Sequence, residues 1–310
     1  MRRTLAGKVR IGGRGLHSGR RVTLGLHPAP AGHGIAFRRT DLPGAAPIPA
    51  LWDHVEQTPL NTRIVNGAGN AVATIEHLMA ALAGCGCTDV LVTLDGPEVP
   101  ILDGSARPFV EAILRAGLRV LPGALEMIEV LAPVEVREGA AFARLSPADL
   151  PQMRFMIDFA DAAIGRQEGA LELRNGAVVE ELADSRTFCR LADIEWMRGQ
   201  GLALGGSYDN AVVVDGARVL SPGGLRHEDE PVRHKMLDAV GDLATAGAPI
   251  LGLYEGERAG HALTNRLLRA LFARPDSFRR RPVTPALAAL LPGAGLATLP
   301  PPGASARRVA

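Results

Sequence analysis

Segments that read as strands are followed by segments that read as helices, and that order occurs twice along the chain. In the first pass, Arg21–Leu26 alternates polar and apolar residues, Gly32–Arg38 ends in a second alternating segment, and Val90–Leu94 is an apolar run. Thr74–Ala83 reads as a helix with Thr74 as N-cap and Gly84 as its stop, and Pro108–Ala116 as a helix opened by proline. After the Leu121-Pro122-Gly123 break, Ile128–Val136, Ala141–Leu145 and Arg154–Phe159 read as strands. Ala192–Arg198 reads as helical, and Asn210–Asp215 with Arg218–Leu220 as a hairpin around Gly216. Glu230–Ala246 reads as a helix, Ile250–Tyr254 as a strand and His261–Ala273 as a closing helix. Strands then helices, twice, predict two α+β domains. The 310 residues exceed what one core usually organises. The predicted division is 1–122, 123–275 and a Pro/Ala-rich tail at 276–310. No convincing sequence self-similarity accompanies the repeated order.

Composition narrows the function classes. Lys plus Arg is 34 and Asp plus Glu 33, a net charge of +1, and aromatics are 4%. That balance opposes nucleic-acid binding. The cysteines, Cys85, Cys87 and Cys189, are odd in number and exclude a zinc site built from four cysteines. Their expected state is that of small buried thiols in a reducing compartment. Residues 1–21 carry seven basic side chains but no apolar run behind them. The uncharged stretch Pro282–Ala306 holds six prolines and three glycines, so it reads as an irregular tail rather than a membrane helix. A cytoplasmic protein without a transmembrane segment is expected, with contact to a membrane surface left open.

Chemistry concentrates on the helix that begins near Pro231. At about 100° per residue, His234, Asp238 and Asp242 share one face, and Val232, Met236, Val240 and Leu243 lie opposite. The apolar face is expected to dock inward and the polar face to point outward. A His and an Asp four residues apart can supply two ligands to one divalent ion, although an exposed face with ordinary i, i+4 pairs is the commoner arrangement. Glu76-His77 would complete such a site: His77 as third ligand, Glu76 as proton acceptor. A surface carboxylate beside a core histidine is the plainer reading of that pair. His261, after Gly260, could serve as a charged general acid with Asp242 raising its pKa, or simply face solvent. Gly12–Gly19 lacks the spacing of a nucleotide loop and reads as a turn into the Arg21 strand, with His17 a turn residue. His27, His33, His54 and His227 have no partner spacing, and Arg279-Arg-Arg reads as a solvated end.

Several long motifs, taken in order, carry a resemblance. They are Thr74-Ile-Glu-His-Leu-Met-Ala-Ala-Leu, Pro100-Ile-Leu-Asp-Gly-Ser-Ala, Ser185-Arg-Thr-Phe, Gly205-Gly-Ser-Tyr-Asp-Asn-Ala, His234-Lys-Met-Leu-Asp-Ala-Val-Gly-Asp-Leu and Gly260-His-Ala-Leu-Thr-Asn. Together they resemble the UDP-3-O-acyl-N-acetylglucosamine deacetylase family, from about Val9 to Phe272. The resemblance implies removal of acetate from UDP-3-O-((R)-3-hydroxyacyl)-GlcNAc, the committed step of lipid A synthesis in the Gram-negative cytosol. It implies two similar two-layer α/β sandwich domains with the active site between them, each with a small insert. The second insert, within about 191–215, would form an acyl-chain passage from Ile194, Trp196, Met197, Leu202, Val212 and Val214.

Residue by residue, the resemblance makes His77, His234 and Asp238 ligands of Zn2+ or Fe2+. Glu76 matches the general base, His261 the charged histidine, and Asp242 its partner. Lys235 matches a residue near substrate and nucleophilic water, and Thr187 a hydroxyl steadying the oxyanion. Phe188 matches a substrate-pocket residue, and Phe159 an aromatic presented to the uracil. Ala160-Asp-Ala-Ala departs from the Asn-His-Pro-Ala often found there, so nucleoside contacts should differ. The implied partner is a nucleotide-sugar lipid, with no nucleic acid, and a monomer is expected. The weighed alternatives are a metal-free binding protein, a zinc deacetylase for another acylated amino sugar, and a structural or nucleic-acid-binding role.

Overall fold

A computed structural model describes residues 1–58 and 60–296. It is α+β and built twice on one plan. The first five-stranded sheet has the order Val9–Arg14, Arg21–Pro28, Val90–Leu94, Ile35–Arg39, Ile48–Pro49. The second has the order Val134–Glu138, Ala141–Ser146, Leu253–Glu257, Gln152–Asp158, Arg166–Glu172. In each, the central strand comes last in sequence, antiparallel to the second strand of its half and parallel to the third. A helix precedes that strand and another follows it. They are α1 (Glu76–Gly84) and α2 (Arg107–Ala116) in the first half. A helix of the second insert, α3 (Leu191–Gly199), comes next, and α4 (Glu230–Ala244) and α5 (His261–Phe272) serve the second half. Identical topology without sequence similarity follows because a layer fold needs only the period of its apolar residues, not their identity. One contiguous apolar core runs through both halves.

The two helices that precede the central strands pack on each other. Leu78, Met79, Ala80, Ala81 and Leu82 of α1 are all buried, as a helix sandwiched on every side requires. On α4, Val232 and Met236 sit against Gly169 of the second sheet, so the apolar face docks as expected. The opposite face does not point to solvent: His234, Asp238 and Asp242 are buried against α1. Periodicity identifies two faces of a helix but not what covers the polar one.

Other expectations are corrected locally. Thr74 is not a cap; α1 starts at Glu76, and Thr74 has a left-handed backbone (φ 58°) with its hydroxyl bonded to Glu98 at 2.9 Å. Val9–Arg14 is a strand through Gly12-Gly13, and a Cβ at position 13 would lie 2.7 Å from Pro100, so that glycine serves close packing rather than a turn. Ile128–Val136 divides at Pro133 into Glu126–Val130 and Val134–Glu138. Ile250–Tyr254 divides at Gly252 because its two pieces join different sheets: Ile250–Leu251 pairs with Glu126–Val130, and the longer Leu253–Glu257 is central in the second five-stranded sheet. Within the segment read as a tail, Phe278–Pro282 is a strand antiparallel to Glu126–Val130, and Arg279 bonds Glu129. Residues 297–310 of that segment lie outside the described residues. No helix among the described residues is long and apolar enough to cross a membrane.

Candidate metal centre and active site

The first turn of α1 and the middle of α4 bring His77, His234 and Asp238 together, with one ligand atom from each lying within 4.8 Å of the others. Asp238 Oδ1 is 3.2 Å from His234 Nε2 and 3.5 Å from His77 Nε2. It is buried and makes no hydrogen bond. A buried carboxylate oxygen without a donor is costly unless a cation completes its surroundings. His234 Nδ1 lies 3.0 Å from the Ser185 carbonyl oxygen, which fixes the proton on Nδ1 and leaves the Nε2 lone pair toward the triad. These residues fit a divalent ion, and two imidazoles with one carboxylate leave a position open for chemistry.

Titratable groups surround the triad. Burial against water raises the Glu76 carboxyl to about 7, with the His261 charge opposing and Asp238 and Asp242 reinforcing the shift. Burial works against a charged His261, but the carboxylates of Asp242 and Glu76 raise its pKa to about 9. Its Nδ1 is 2.9 Å from Asp242 Oδ2. Burial favours neutral His77, as a metal ligand requires. Burial alone would raise Asp238; His234 and Lys235 instead hold it well below the carboxylate range. Lys235 Nζ donates to Asp238 Oδ2 at 2.7 Å, and the surrounding carboxylates keep it charged despite its burial.

Thr187 and Phe188 lie beside this cluster. Thr187 is pinned by its backbone: its N–H donates to Gly104 and its carbonyl accepts from Val212. Gly104 has φ 87°, and a Cβ there would fall 2.8 Å from the Asn210 carbonyl carbon, so the two halves touch backbone to backbone. The Phe188 ring stands edge-on to Phe159 (5.4 Å) and to His234 (6.3 Å). Thr187 and Phe188 also line a cavity of about 470 Å³ that extends into the second insert. A larger cavity of about 650 Å³ beneath residues 285–294 contains none of the candidate site residues.

The family model for UDP-3-O-acyl N-acetylglycosamine deacetylase matches residues 2–273. The chain belongs to that family. Among relatives of this deacetylase family, a Phenylobacterium zucineum protein named UDP-3-O-acyl-N-acetylglucosamine deacetylase is 48% identical over 279 residues, covering 90% of this chain and 95% of its own. A Shewanella frigidimarina protein of the same name is 46% identical over 278 residues, covering 89% and 91%.

In this deacetylase-family chain the insert differs in detail from the sequence reading. Ile194 and Met197 line the cavity. Val212 and Val214 face the core, and the residue between them, Val213, faces the cavity, as strand alternation demands. Trp196 lies on the outer side of α3, exposed. Three contributors escaped sequence reasoning. Thr62 donates its backbone N–H to Glu76 Oε2 at 2.9 Å and its hydroxyl to Asp242, tying the two carboxyl groups together. Glu98 accepts the backbone N–H groups of His17 and Ser18 at 2.8 and 2.7 Å. His17 is buried, lines the same cavity and leaves Nε2 without a partner. No local spacing signals these groups; only the long-range contacts reveal them. His227 likewise finds Asp184 at 2.9 Å.

Proposed function

We propose that this chain is a metal-dependent amidohydrolase that removes acetate from UDP-3-O-((R)-3-hydroxyacyl)-GlcNAc in lipid A synthesis, with Zn2+ or Fe2+ at His77, His234 and Asp238. The convergence of Glu76 and His261 on that triad carries the reading. Family membership and the relatives' names support the substrate. The cytoplasm as location, a monomeric state and a domain division near residue 122 belong to the same proposal. Pairing of Arg3–Leu5 with Leu118–Val120, which closes the first half, supports that division.

An ion at the triad supplies Lewis acidity, polarising the amide carbonyl and acidifying water. Glu76 accepts the proton of the attacking water as the oxygen–carbon bond forms. The Thr187 hydroxyl donates to the developing oxyanion, and the His261 and Lys235 cations offset its charge. As the carbon–nitrogen bond breaks, the amine takes a proton from Glu76 or His261. Asp242 holds the His261 imidazolium through Nδ1, leaving Nε2 as the donor. Phe188 and the cavity beyond it receive the acyl chain, and Phe159 contacts the uracil.

Acetate release from this substrate, before and after metal stripping and with Zn2+ restored, tests the reading. Turnover that disappears and returns with the metal is expected. No turnover in folded, metal-loaded protein would overturn it. His234→Ala should lower metal content per chain to a small fraction of wild type, because it removes a ligand rather than the base. Unchanged metal content would remove His234 from the ligand set.

The pH dependence follows from the two shifted groups. Glu76 must be ionised, so kcat/KM rises as pH passes through a value near 7. His261 must be protonated, so kcat/KM falls as pH passes through a value near 9. Both limbs move to lower pH with a cation at the triad, because positive charge favours the carboxylate and opposes the imidazolium. His261→Gln should lose the alkaline limb and lower kcat by about 10²-fold or more. An alkaline limb that persisted in this variant would assign it to another group.

A further inference from the structure

Glu230 opens α4 and is fully buried. Its carboxylate accepts four hydrogen bonds. Oε1 takes the backbone N–H and Nε of Arg186, each at 2.9 Å. Oε2 takes Arg186 Nη2 at 3.0 Å and the Arg226 backbone N–H at 2.7 Å. Arg186 is buried as well, and its Nη2 also donates to the Gly224 carbonyl at 2.7 Å. Burial alone would raise the Glu230 carboxyl, but the Arg186 guanidinium and the two backbone N–H groups hold it below its ordinary value. Four donors fill the acceptor sites of a carboxylate, so Glu230 keeps none for an ion or a substrate.

The bond from the Arg186 N–H reaches the metal triad through one peptide group. That N–H and the Ser185 carbonyl belong to the same planar unit, and in a trans peptide they point in opposite directions. The Ser185 carbonyl accepts from His234 Nδ1 at 3.0 Å. Glu230 and His234 lie about one turn apart on α4, a rise of about 6 Å. They therefore grip opposite ends of one peptide that runs alongside the helix. With its N–H held by Glu230, that peptide cannot rotate, and its carbonyl stays aimed at the His234 ring. Thr187 follows at once, its own N–H bonded to the Gly104 carbonyl at 2.8 Å.

We propose that Glu230 is a positioning residue of the metal centre, acting through the Ser185–Arg186 peptide to hold the His234 imidazole in the orientation and tautomer that present Nε2 to the ion. Arg186 keeps Glu230 charged and in place. This role rests on His77, His234 and Asp238 being metal ligands, and not on the identity of the substrate.

Two double variants separate positioning from a merely structural role. Arg186→Met/Glu230→Met removes both charges at nearly constant volume, so no unpaired charge is buried, but the N–H at position 186 loses its acceptor. Arg186→Met/Glu230→Gln also removes both charges, yet its amide oxygen can still accept that N–H. Zn2+ affinity of the full-length protein is measured by competition with a chromophoric chelator, and Co2+ loading supplies a ligand-field spectrum. In the Met/Met pair, Zn2+ affinity should fall by about 10–100-fold and the Co2+ bands should shift. The Met/Gln pair should recover most of the affinity and the wild-type bands. Arg186→Lys, which keeps a cation and the backbone bond to Glu230, should lower Tm and leave affinity near the wild-type value. Should the Met/Met pair not fold, Glu230→Asp, charged but one methylene shorter, takes its place with the same expectation. Wild-type affinity and spectrum in the variant that loses the grip, or an equal loss in both double variants or in Arg186→Lys, would overturn the assignment. Because affinity is read without substrate, failure of this role and failure of the deacetylase reading are separate results.

Discussion

Glu76→Gln should lower kcat by about 10²–10⁴-fold while metal content stays at the wild-type level. Gln keeps the size of the side chain and can still meet the Thr62 N–H, but it cannot accept a proton. Glu76 lies beside the triad rather than in it, so ligand binding is not removed with the base. The loss corresponds to roughly 3–5 kcal/mol of barrier. Its size reflects where the carboxylate sits. Burial raises it to about 7, which makes it a stronger base than an exposed glutamate while leaving it ionised in a large fraction of molecules at neutral pH. The measurement is single-turnover acetate release with metal quantified in the same sample. Near-normal kcat would remove Glu76 as base; lost metal would make it a ligand or a support of one.

Gly241→Ala should be nearly as damaging, although position 241 carries no chemistry. A Cβ there would lie 2.8 Å from the Glu76 carbonyl carbon and 3.0 Å from its Cα. The clash is with backbone at the first turn of α1, so no side-chain rotation relieves it. The two helices must separate, carrying Glu76 and His77 away from His234 and Asp238. Overpacking of this kind costs about 1–3 kcal/mol of stability, and a displacement near 1 Å at a catalytic group costs about 10²-fold in rate. Expected results are a lower urea midpoint, weaker metal retention and a kcat reduced by about that factor. Gly199→Ala in α3 is the control, because a Cβ there meets nothing within 4 Å. It should leave activity unchanged. Wild-type kcat in Gly241→Ala would mean that the helix contact does not set the site geometry.

Much of the site was legible because its chemistry is written locally. A His and an Asp one helical turn apart project from the same side of α4, and Glu76-His77 lies at a helix start, so residue types and period suffice to nominate them. The resemblance then joined the two segments. Sequence alone makes the charged face of α4 look solvated; in the fold, α1 covers it, burial raises Glu76, and His261 is raised against its own burial by the Asp242 and Glu76 carboxylates. The cavity of the second insert was half legible. Its helix supplied Ile194 and Met197 as expected, while strand alternation turned Val212 and Val214 inward and presented Val213.

Thr62, Glu98 and His17 were not legible, since each acts through partners far along the chain. Thr62 reaches across 180 positions to Asp242, and His17 reaches across 81 to Glu98. The sequence by itself determined the α+β class, the repeated order of elements, the family and the residue types able to hold a metal and move a proton. These depend on period and composition within one turn or one strand. Only the tertiary structure decided that the two halves share one sheet topology, that α1 and α4 touch at Gly241, and that the polar stripe lies buried between them. Those facts arise from packing between distant segments, where the identity of the neighbour, rather than of the residue, sets burial, charge and geometry.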